Sequence, residues 1–216
     1  LGMSGYWALY KSKSSRIEFD LGKEKLYFTD QRNFGTIKFT KDFQDIQKKL
    51  NELAPDILKD GLSTDDIIQR INILCNKSRK NKNLVKILMD QKALVSGIGN
   101  YLVAEILFDA KINPHRNIDD LTKTEIKKLA NSMRKITKSS YVDNKTGYMV
   151  FFNDFMESHA QNIDKRIYPN YHPDIKINGT FTFKVYGQEK DPHGNNVKQD
   201  SIVKGRIIHW SPVAQK

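Results

Sequence analysis

The sequence has a single cysteine, Cys75, so no disulfide can form within the 216-residue chain. This excludes the class of small secreted domains that depend on several disulfides, and it suits a reducing compartment. Long apolar runs are also lacking, since no stretch approaches the roughly 20 apolar residues that a membrane-spanning helix requires. Acidic residues are few, with 25 Asp and Glu against 36 Lys and Arg. The sequence therefore indicates neither a disulfide scaffold nor a membrane protein.

The excess of basic residues gives the chain a net charge of +11 at pH 7. A charge of this size favours a polyanionic partner, which is either a nucleic acid or an anionic membrane surface. Because no membrane span is present, we favour a nucleic acid and expect no membrane partner. With 38% hydrophobic and 28% charged residues, the chain has enough apolar material for a folded core.

Residues 90–108, which read DQKALVSGIGNYLVAEILF, contain the most informative pattern of the chain. An apolar run that ends near Met89 is followed by Gly97 and Gly99, and Asn100 begins a second run with helical spacing of its apolar residues. Glycines permit positive φ and a close approach to a ligand, while a helix start offers free N–H groups to an anion. The pattern predicts two helices that meet at a glycine turn, with phosphate as the expected anion. An ordinary turn between two core helices is the alternative.

The full string at residues 97–114 contains Gly-Ile-Gly-Asn-Tyr, then Ala-Glu-Ile-Leu-Phe and Asn-Pro. It resembles the helix-two-turn-helix of the formamidopyrimidine-DNA glycosylase and endonuclease VIII family. In that family the asparagine at the position of Asn100 binds the DNA backbone beside a damaged nucleotide. The resemblance implies that Asn100 and Gly99 contact DNA. By position it also assigns a contact to Lys80, within the basic run 77–82, where added charge would strengthen binding to phosphates.

Two loops near the start of the sequence extend this resemblance. Residues 1–5 read Leu-Gly-Met-Ser-Gly and residues 30–35 read Asp-Gln-Arg-Asn-Phe-Gly, and both match loops of the family's N-terminal β-sandwich. When a damaged nucleotide is flipped out of the duplex, an apolar side chain and a cation must fill the void. The resemblance implies this wedge role for Met3, Arg32 and Phe34. Without the two motifs, a core methionine, a solvated arginine and a core phenylalanine would be the simpler interpretation.

The predicted fold class is α+β. Strand-like patterns occur at residues 7–10, 16–21, 25–30 and 36–39, and we expect further strands outside this sequence to pair with them. Capping patterns at residues 63–66 and 122–125 begin amphipathic helices, which we expect to end near residues 74 and 139. The polar, lysine-rich stretch at residues 41–53 is also amphipathic. The predicted domains are the remainder of an N-terminal antiparallel β-sandwich (1–54), a linker (55–62), a helix-two-turn-helix domain with a loop on the lesion side (63–178), and a zincless-finger β-hairpin (179–216).

The C-terminal residues predict a β-hairpin, with strands at 181–186 and 206–210 and a turn at 191–194. In the family this hairpin is usually held by a zinc ion on four cysteines. The residues at those positions are His193, Asn196, Ser211 and Ala214. These residues are not a tetrahedral zinc set, so the chain resembles the zincless-finger branch of the endonuclease VIII-like enzymes. We expect no metal and no cofactor, and a hairpin held by packing alone, with Val185, Ile208 and Trp210 as the packing candidates.

Arg206 occupies the position of the family's finger arginine. The resemblance implies that it grips the phosphates that flank the flipped nucleotide and assists the second elimination step. A planar guanidinium, always charged, suits bidentate phosphate binding better than an ammonium group does. From the local sequence alone, an exposed strand arginine without a role fits equally well.

The chemistry of the family requires a nucleophile at the sugar carbon C1′, which is the amine of an N-terminal proline assisted by a neighbouring glutamate. This sequence begins with Leu1-Gly2 and has no such N-terminal proline with an adjacent glutamate. We therefore expect the natural protein to carry them before Leu1, and residues 1–216 alone to bind damaged or abasic DNA poorly and to catalyse little.

Two functions remain as hypotheses. The first is a DNA glycosylase and abasic-site lyase of base excision repair, which acts on oxidised bases in double-stranded DNA, as a monomer, inside the nucleus or cytoplasm. The second is a non-catalytic module that binds nucleic acid through the helix-two-turn-helix. The wedge loops and the hairpin favour the first hypothesis, because a simple binding module needs neither.

Overall fold

The computed structural model describes residues 5–33, 35–76, 82–147 and 181–216. The chain forms two compact units, Leu1–Lys48 and Lys49–Lys216. The α+β fold class is confirmed, because the first unit contains an antiparallel sheet and the second contains helices and a two-stranded hairpin. The domain limits that the sequence suggests at residues 55, 63 and 179 stay predictions. In the described part of the chain, no helix is both long and apolar enough to cross a lipid bilayer.

The first unit is built on a three-stranded antiparallel sheet in the order β1-β3-β2. Its strands are β1 (Gly5–Ala8), β2 (Ser15–Asp20) and β3 (Lys25–Asp30). The central strand contributes the buried Phe28, whose ring centroid lies 5.3 Å from that of Trp7. Large apolar side chains of this unit remain exposed, among them Tyr6, Leu9, Tyr10, Leu21 and Phe39. The expectation that further strands cover them stays a prediction.

The predicted strand at residues 36–39 is wrong, because these residues, all of them described, adopt no strand. The carboxylate of Asp30 explains the difference. It accepts the backbone N–H of Arg32 at 3.0 Å and that of Gly35 at 2.7 Å. Both carboxylate oxygens are thus used to bend the chain at the end of β3, so the following residues leave the sheet. The polar stretch that follows forms α1 (Phe43–Asn51), as its amphipathic pattern predicts.

The second unit contains four further helices. These are α2 (Thr64–Asn76), α3 (Leu84–Met89), α4 (Asn100–Ala110) and α5 (Lys123–Gly147), with a short 3₁₀ helix at Ile118–Asp120. Their apolar faces meet in one core, whose fully buried large side chains include Ile67, Ile71, Leu84, Leu88, Ile98, Ile106, Leu107, Leu129 and Met133. The apolar periodicity of the sequence had indicated each of these helices.

Both predicted capping patterns are confirmed. Ser63 and Asp66 exchange hydrogen bonds at the start of α2, and Thr122 and Glu125 do the same at the start of α5. The predicted end of α5 near residue 139 was too early, since the helix continues to Gly147. No glycine or proline occurs between these two points to end it.

Residues 55–62, predicted as a linker, are attached to the helices of the second unit. Asp56 forms a parallel bridge with Ser96. The N–H of Ser96 donates to the carbonyl of Pro55 at 2.8 Å, and the N–H of Ile57 donates to the carbonyl of Ser96 at 3.1 Å. The side chain of Ile57 is buried in the core. This segment therefore supports one side of the turn that precedes α4.

The C-terminal hairpin is formed by β4 (Lys198–Val203) and β5 (Arg206–Trp210). The predicted second strand is confirmed, but the predicted first strand at residues 181–186 is wrong. Three successive N–H groups, those of Lys184, Val185 and Tyr186, donate to the carboxylate of Glu105 at 2.8 to 3.0 Å. In a strand, successive N–H groups point in alternate directions. A segment whose three N–H groups converge on one carboxylate cannot be a strand.

Candidate nucleic-acid interface

The glycine turn before α4 has the geometry that the sequence predicts. Gly97 has φ of +96°, which an L-residue rarely adopts, so glycine is required there. Gly99 is exposed and occupies the N-cap position of α4, with no side-chain hydrogen bond that caps the helix. The first N–H groups of an α-helix have no partner within the helix. The turn therefore presents backbone N–H groups and the positive end of an 11-residue helix.

Asn100, the first residue of α4, links the turn to the hairpin. Its Nδ2 donates a hydrogen bond to the backbone carbonyl of Ile207 at 3.0 Å. The side chain is half-buried rather than freely exposed, and its Oδ1 is buried without a hydrogen-bond partner among the described residues. A side-chain amide carries two N–H donors. One donor holds β5, so the second is left for a ligand.

Arg206 directly precedes Ile207, whose backbone carbonyl accepts the hydrogen bond from Asn100. It begins β5 and is exposed, directly after Gly205, whose φ is +73° in the turn of the hairpin. Among the residues that the structure describes, none forms a hydrogen bond or ion pair with its guanidinium group. The fold thus brings Asn100, Gly99 and Arg206 to neighbouring positions, although more than a hundred residues separate the first from the last.

Residues 184–186, which precede the hairpin, are attached to α4 through Glu105, a residue to which the sequence assigned no role. Its side chain is 1% exposed and accepts the three backbone N–H groups described above. The signal was present in the sequence, since Glu105 interrupts the apolar run of α4. A carboxylate on a core-facing position is rarely buried without several donors. That pattern indicates a buried partner, but it does not identify which segment provides it.

A second carboxylate, that of Asp191, organises the base of the hairpin. Its Oδ1 accepts the N–H groups of His193 and Asn195, each at 2.9 Å. Its Oδ2 accepts the hydroxyl of Ser211 at 2.8 Å and the side-chain amide of Asn195 at 3.0 Å. Burial alone would raise the pKa of Asp191, but the hydrogen bonds from Asn195 and Ser211 outweigh it and lower the pKa to about 2.

The Asp191 network occupies the part of the chain where the family resemblance expects zinc. Of the four residues at the cysteine positions, Ser211 donates its hydroxyl to Asp191, and its N–H donates to Gln215 Oε1 at 2.8 Å. Asn196 and Ala214 provide no thiolate or imidazole, so this residue set does not fit zinc. Within the described ranges, no three His, Cys, Asp or Glu side chains are grouped as metal ligands.

The expectation that packing alone holds the hairpin is corrected by these contacts. Val185, Ile208 and Trp210 are buried, as predicted. However, the indole Nε1 of Trp210 also donates to Asp200 Oδ2 at 2.6 Å, and His115 Nε2 lies 2.9 Å from the same oxygen. The contact with His115 is the main cause that lowers the pKa of Asp200. The hairpin is therefore held both by packing and by hydrogen bonds to the carboxylates of Asp191 and Asp200.

Of the three predicted wedge residues, only Arg32 lies among the described residues. It is exposed, and its N–H is held by the buried Asp30. Met3 and Phe34 lie outside the described residues, as do Lys80 and the lesion-side loop beyond residue 147. The wedge role and the Lys80 contact stay predictions.

Comparison with known proteins connects these sites to one family. A family model of the formamidopyrimidine-DNA glycosylase H2TH domain matches residues 53–151, and one of the formamidopyrimidine-DNA glycosylase C-terminal domain matches residues 173–216. The chain is 28% identical over 231 residues to a formamidopyrimidine-DNA glycosylase of Prochlorococcus marinus (strain NATL2A). The alignment covers 100% of this chain and 72% of that protein. The chain is also 28% identical over 210 residues to the enzyme of that name from Carboxydothermus hydrogenoformans, covering 95% of this chain and 66% of the relative.

Solved structures show the same fold. The MutM (Fpg) protein from Thermus thermophilus matches with a TM-score of 0.68 and 26% identity, over 99% of this chain and 73% of that chain. MutM in complex with DNA that contains carbocyclic 8-oxo-G matches with a TM-score of 0.69, over 100% of this chain and 72% of that chain. At 21% identity the second match concerns the fold alone.

Proposed function

We propose that this chain, which belongs to the formamidopyrimidine-DNA glycosylase and endonuclease VIII family, acts in base excision repair. It would bind double-stranded DNA with oxidised bases or abasic sites, flip the damaged nucleotide and take part in its removal as a DNA glycosylase and abasic-site lyase. The observation that carries the proposal is the hydrogen bond from Asn100 to Ile207, beside Arg206. This contact joins the two phosphate-binding elements that the family resemblance implies.

The joined surface is suited to a distorted DNA backbone. Extrusion of a nucleotide rotates the backbone around it, so the flanking phosphates must be held in new positions. The free N–H groups at the start of α4 and the second N–H of Asn100 provide directional donors. Arg206 provides a charged fork that can bind one phosphate through two hydrogen bonds. These groups recognise the backbone and its shape, so they act on any base sequence.

Arg206 would also contribute to the chemistry. In the second elimination, a base removes a proton from the sugar, a carbon–carbon double bond forms, and the bond between the neighbouring sugar carbon and the phosphate oxygen breaks, so that the phosphate leaves as an anion. A guanidinium that is already bound to this phosphate stabilises the negative charge as it develops. We propose Arg206 as the group that assists this step. The amine nucleophile of the first step is not assigned to any described residue.

The wedge is the second part of the proposal. Arg32, together with Met3 and Phe34, would fill the space that the flipped nucleotide leaves. The support is the loop at Arg32, which the buried Asp30 holds in a bent conformation with two hydrogen bonds. A loop that is fixed in this way can insert a side chain into a base stack with little loss of conformational freedom.

We further propose that the C-terminal hairpin is a zincless finger and that the protein works as a monomer without a cofactor. The support is the misfit of Asn196, Ser211 and Ala214 with zinc, and the hydrogen bonds of Asp191 at the same place. A DNA partner implies an intracellular site of action, in the nucleus or cytoplasm, and no role for a membrane.

An equilibrium binding experiment tests the proposal. The probe is a fluorescent duplex with one tetrahydrofuran abasic analogue, compared with the undamaged duplex of the same sequence. We expect tighter binding to the abasic duplex. The alternative, a non-catalytic nucleic-acid-binding module, predicts equal affinity for the two duplexes and would replace the repair function if that result were found.

Arg206→Ala and Lys204→Ala provide a matched pair for the hairpin, because both remove one exposed cation from the same turn. Arg206→Ala should reduce the affinity for the abasic duplex and lower the slope of log K against log salt by about 0.9, the value for one phosphate contact. Lys204→Ala should change the slope less. Equal effects of the two substitutions would mean that Arg206 adds only general positive charge and makes no specific phosphate contact.

A further inference from the structure

The side chain of Gln91 closes the turn between α3 and α4. Its Oε1 accepts the N–H of Gly97 at 2.7 Å. Its Nε2 donates to the carbonyl of Ile98 at 2.9 Å and to the carbonyl of Met89, the last residue of α3, at 3.0 Å. One carboxamide thus connects the end of the first helix to the glycine turn that begins the second.

The chemistry of this contact requires an amide. Gly97 offers a donor, whereas Met89 and Ile98 offer acceptors, so the side chain must present both kinds of group. A glutamate would retain the bond to Gly97 but would direct an oxygen at two carbonyl oxygens. A methionine has a similar length and would make none of the three bonds. No other uncharged side chain of this length carries a donor and an acceptor on one terminal group.

The turn is supported from its other side as well. The backbone carbonyl of Gln91 accepts the N–H of Ala54 at 2.9 Å. A Cβ at Gly97 would lie 3.3 Å from Cγ2 of Ile57, so the backbone of the turn lies tightly against this segment. Gly97 is therefore held between Ile57 and the Gln91 amide. The N–H of Gly97 is thus used within the turn, which leaves the exposed Gly99 and the half-buried Asn100 to face a ligand.

We propose that Gln91 is a positioning residue for DNA phosphate, which sets the direction of the N–H groups at Gly99 and Asn100 without touching the DNA. This inference rests on the DNA-binding function proposed above. Hydrogen bonds weaken steeply when the donor angle departs from linearity. A turn of two glycines has the most freedom of any backbone to lose that direction. A side chain that makes three bonds across the turn removes this freedom before the DNA arrives.

The test compares Gln91→Glu with Gln69→Glu. Gln69 is exposed on α2 and its side chain makes no hydrogen bond among the described residues, so the second variant adds the same negative charge without affecting the turn. The probe is the abasic-analogue duplex. Loss of two hydrogen bonds should weaken binding by Gln91→Glu at least tenfold. Gln69→Glu should change it by about twofold or less.

A double-mutant cycle separates a positioning role from a merely structural one. If Gln91 acts through the turn, Asn100→Ala should weaken binding less in the Gln91→Glu background than in the wild-type chain, because the misdirected Asn100 contributes little there. If the fold-change in affinity of the double variant equals the product of the two single fold-changes, the residues act independently and the proposal is overturned. Equal affinity of Gln91→Glu and Gln69→Glu would overturn it too.

Two further measurements keep the proposal testable if Gln91→Glu does not fold. Gln91→Met, which removes all three bonds without adding a charge, is the second variant and should also weaken binding at least tenfold. In the wild-type chain, the Gly97 amide should exchange slowly with solvent although the residue is exposed, and fast exchange would contradict the bond to Gln91. A failure of the proposed repair function differs from a failure of the Gln91 proposal, because only in the first case would the wild-type chain show no preference for the abasic duplex.

Discussion

Glu105 offers the sharpest test of how the hairpin is attached to the helices. Its buried carboxylate accepts three backbone N–H groups from residues 184–186. Oε1 accepts two of them and Oε2 accepts one. In Glu105→Gln, the amide oxygen can take the position of Oε1, but the NH₂ group then faces the N–H of Lys184. In Glu105→Ala, all three donors lose their acceptor.

The magnitudes follow from the number of donors left without a partner. A buried donor that loses its hydrogen bond costs about 1 to 3 kcal/mol. The donor that Glu105→Gln leaves unpaired belongs to the exposed Lys184, so this variant should reduce the free energy of unfolding by only about 1 kcal/mol, whereas Glu105→Ala should reduce it by about 5 kcal/mol. The second value is comparable to the whole stability of many domains, which is roughly 5 to 15 kcal/mol. We expect Glu105→Ala to release residues 184–186 from α4 and to weaken DNA binding, although the hydrogen bond from Asn100 to Ile207 still connects β5 to α4.

Urea unfolding followed by tryptophan fluorescence measures these values. The chain has two tryptophans, Trp7 in the first unit and Trp210 in the hairpin. A Trp7→Phe background therefore reports on Trp210 alone. Glu189→Gln, at an exposed position, is the matched control and should unfold as the background does. If Glu105→Gln shared the midpoint of this control, the three hydrogen bonds would not hold the hairpin and the argument would be refuted.

Three other outcomes are expected. Asn100→Ala should weaken binding to the abasic-analogue duplex by more than its loss of stability, and a variant that melts much earlier yet binds normally would mean a purely structural role. Elemental analysis should find no stoichiometric zinc, and a chelator should leave the melting temperature unchanged; one tightly held zinc per chain would refute the zincless finger. Because the pKa of Asp191 is lowered to about 2, its stabilisation should be complete above about pH 4 and lost as the pH falls towards 2. Urea unfolding at each pH measures this loss: Asp191→Asn should make the free energy of unfolding depend less on pH between about 4 and 2, and an unchanged dependence would argue against the network.

The sequence predicted most of what local physics determines. The capping residues and the apolar periodicity give α2 and α5 because a helix start and a buried face depend on residues within a few turns of each other. The glycine turn before Asn100 was predicted for the same reason, since positive φ at Gly97 is a property of one residue. The family resemblance assigned Asn100 and Arg206 separately to phosphates near the damaged nucleotide, and the hydrogen bond from Asn100 to Ile207 shows that the fold brings them to neighbouring positions.

The errors fall where a distant partner decides the conformation. Residues 181–186 alternate as a strand would, but Glu105, about 80 positions away, takes three of their N–H groups. The strand at 36–39 failed because both oxygens of Asp30 bend the chain. Asp191 and Gln91 were missed because an acidic or amide side chain in a turn is usually solvated, and only the folded chain shows how many donors surround it.

The claim on which the function depends is that the turn before α4 and the start of β5 bind the same stretch of DNA backbone. Nuclear magnetic resonance of the ¹⁵N-labelled chain tests this directly, by following the Gly99 amide, the Asn100 side-chain amide and Arg206 Nε during addition of the abasic-analogue duplex. We predict that all three signals shift together at the same duplex concentration, while the side-chain amide of the exposed Gln69 stays in place. Shifts of Arg206 without Asn100, or of neither, would contradict a shared phosphate site.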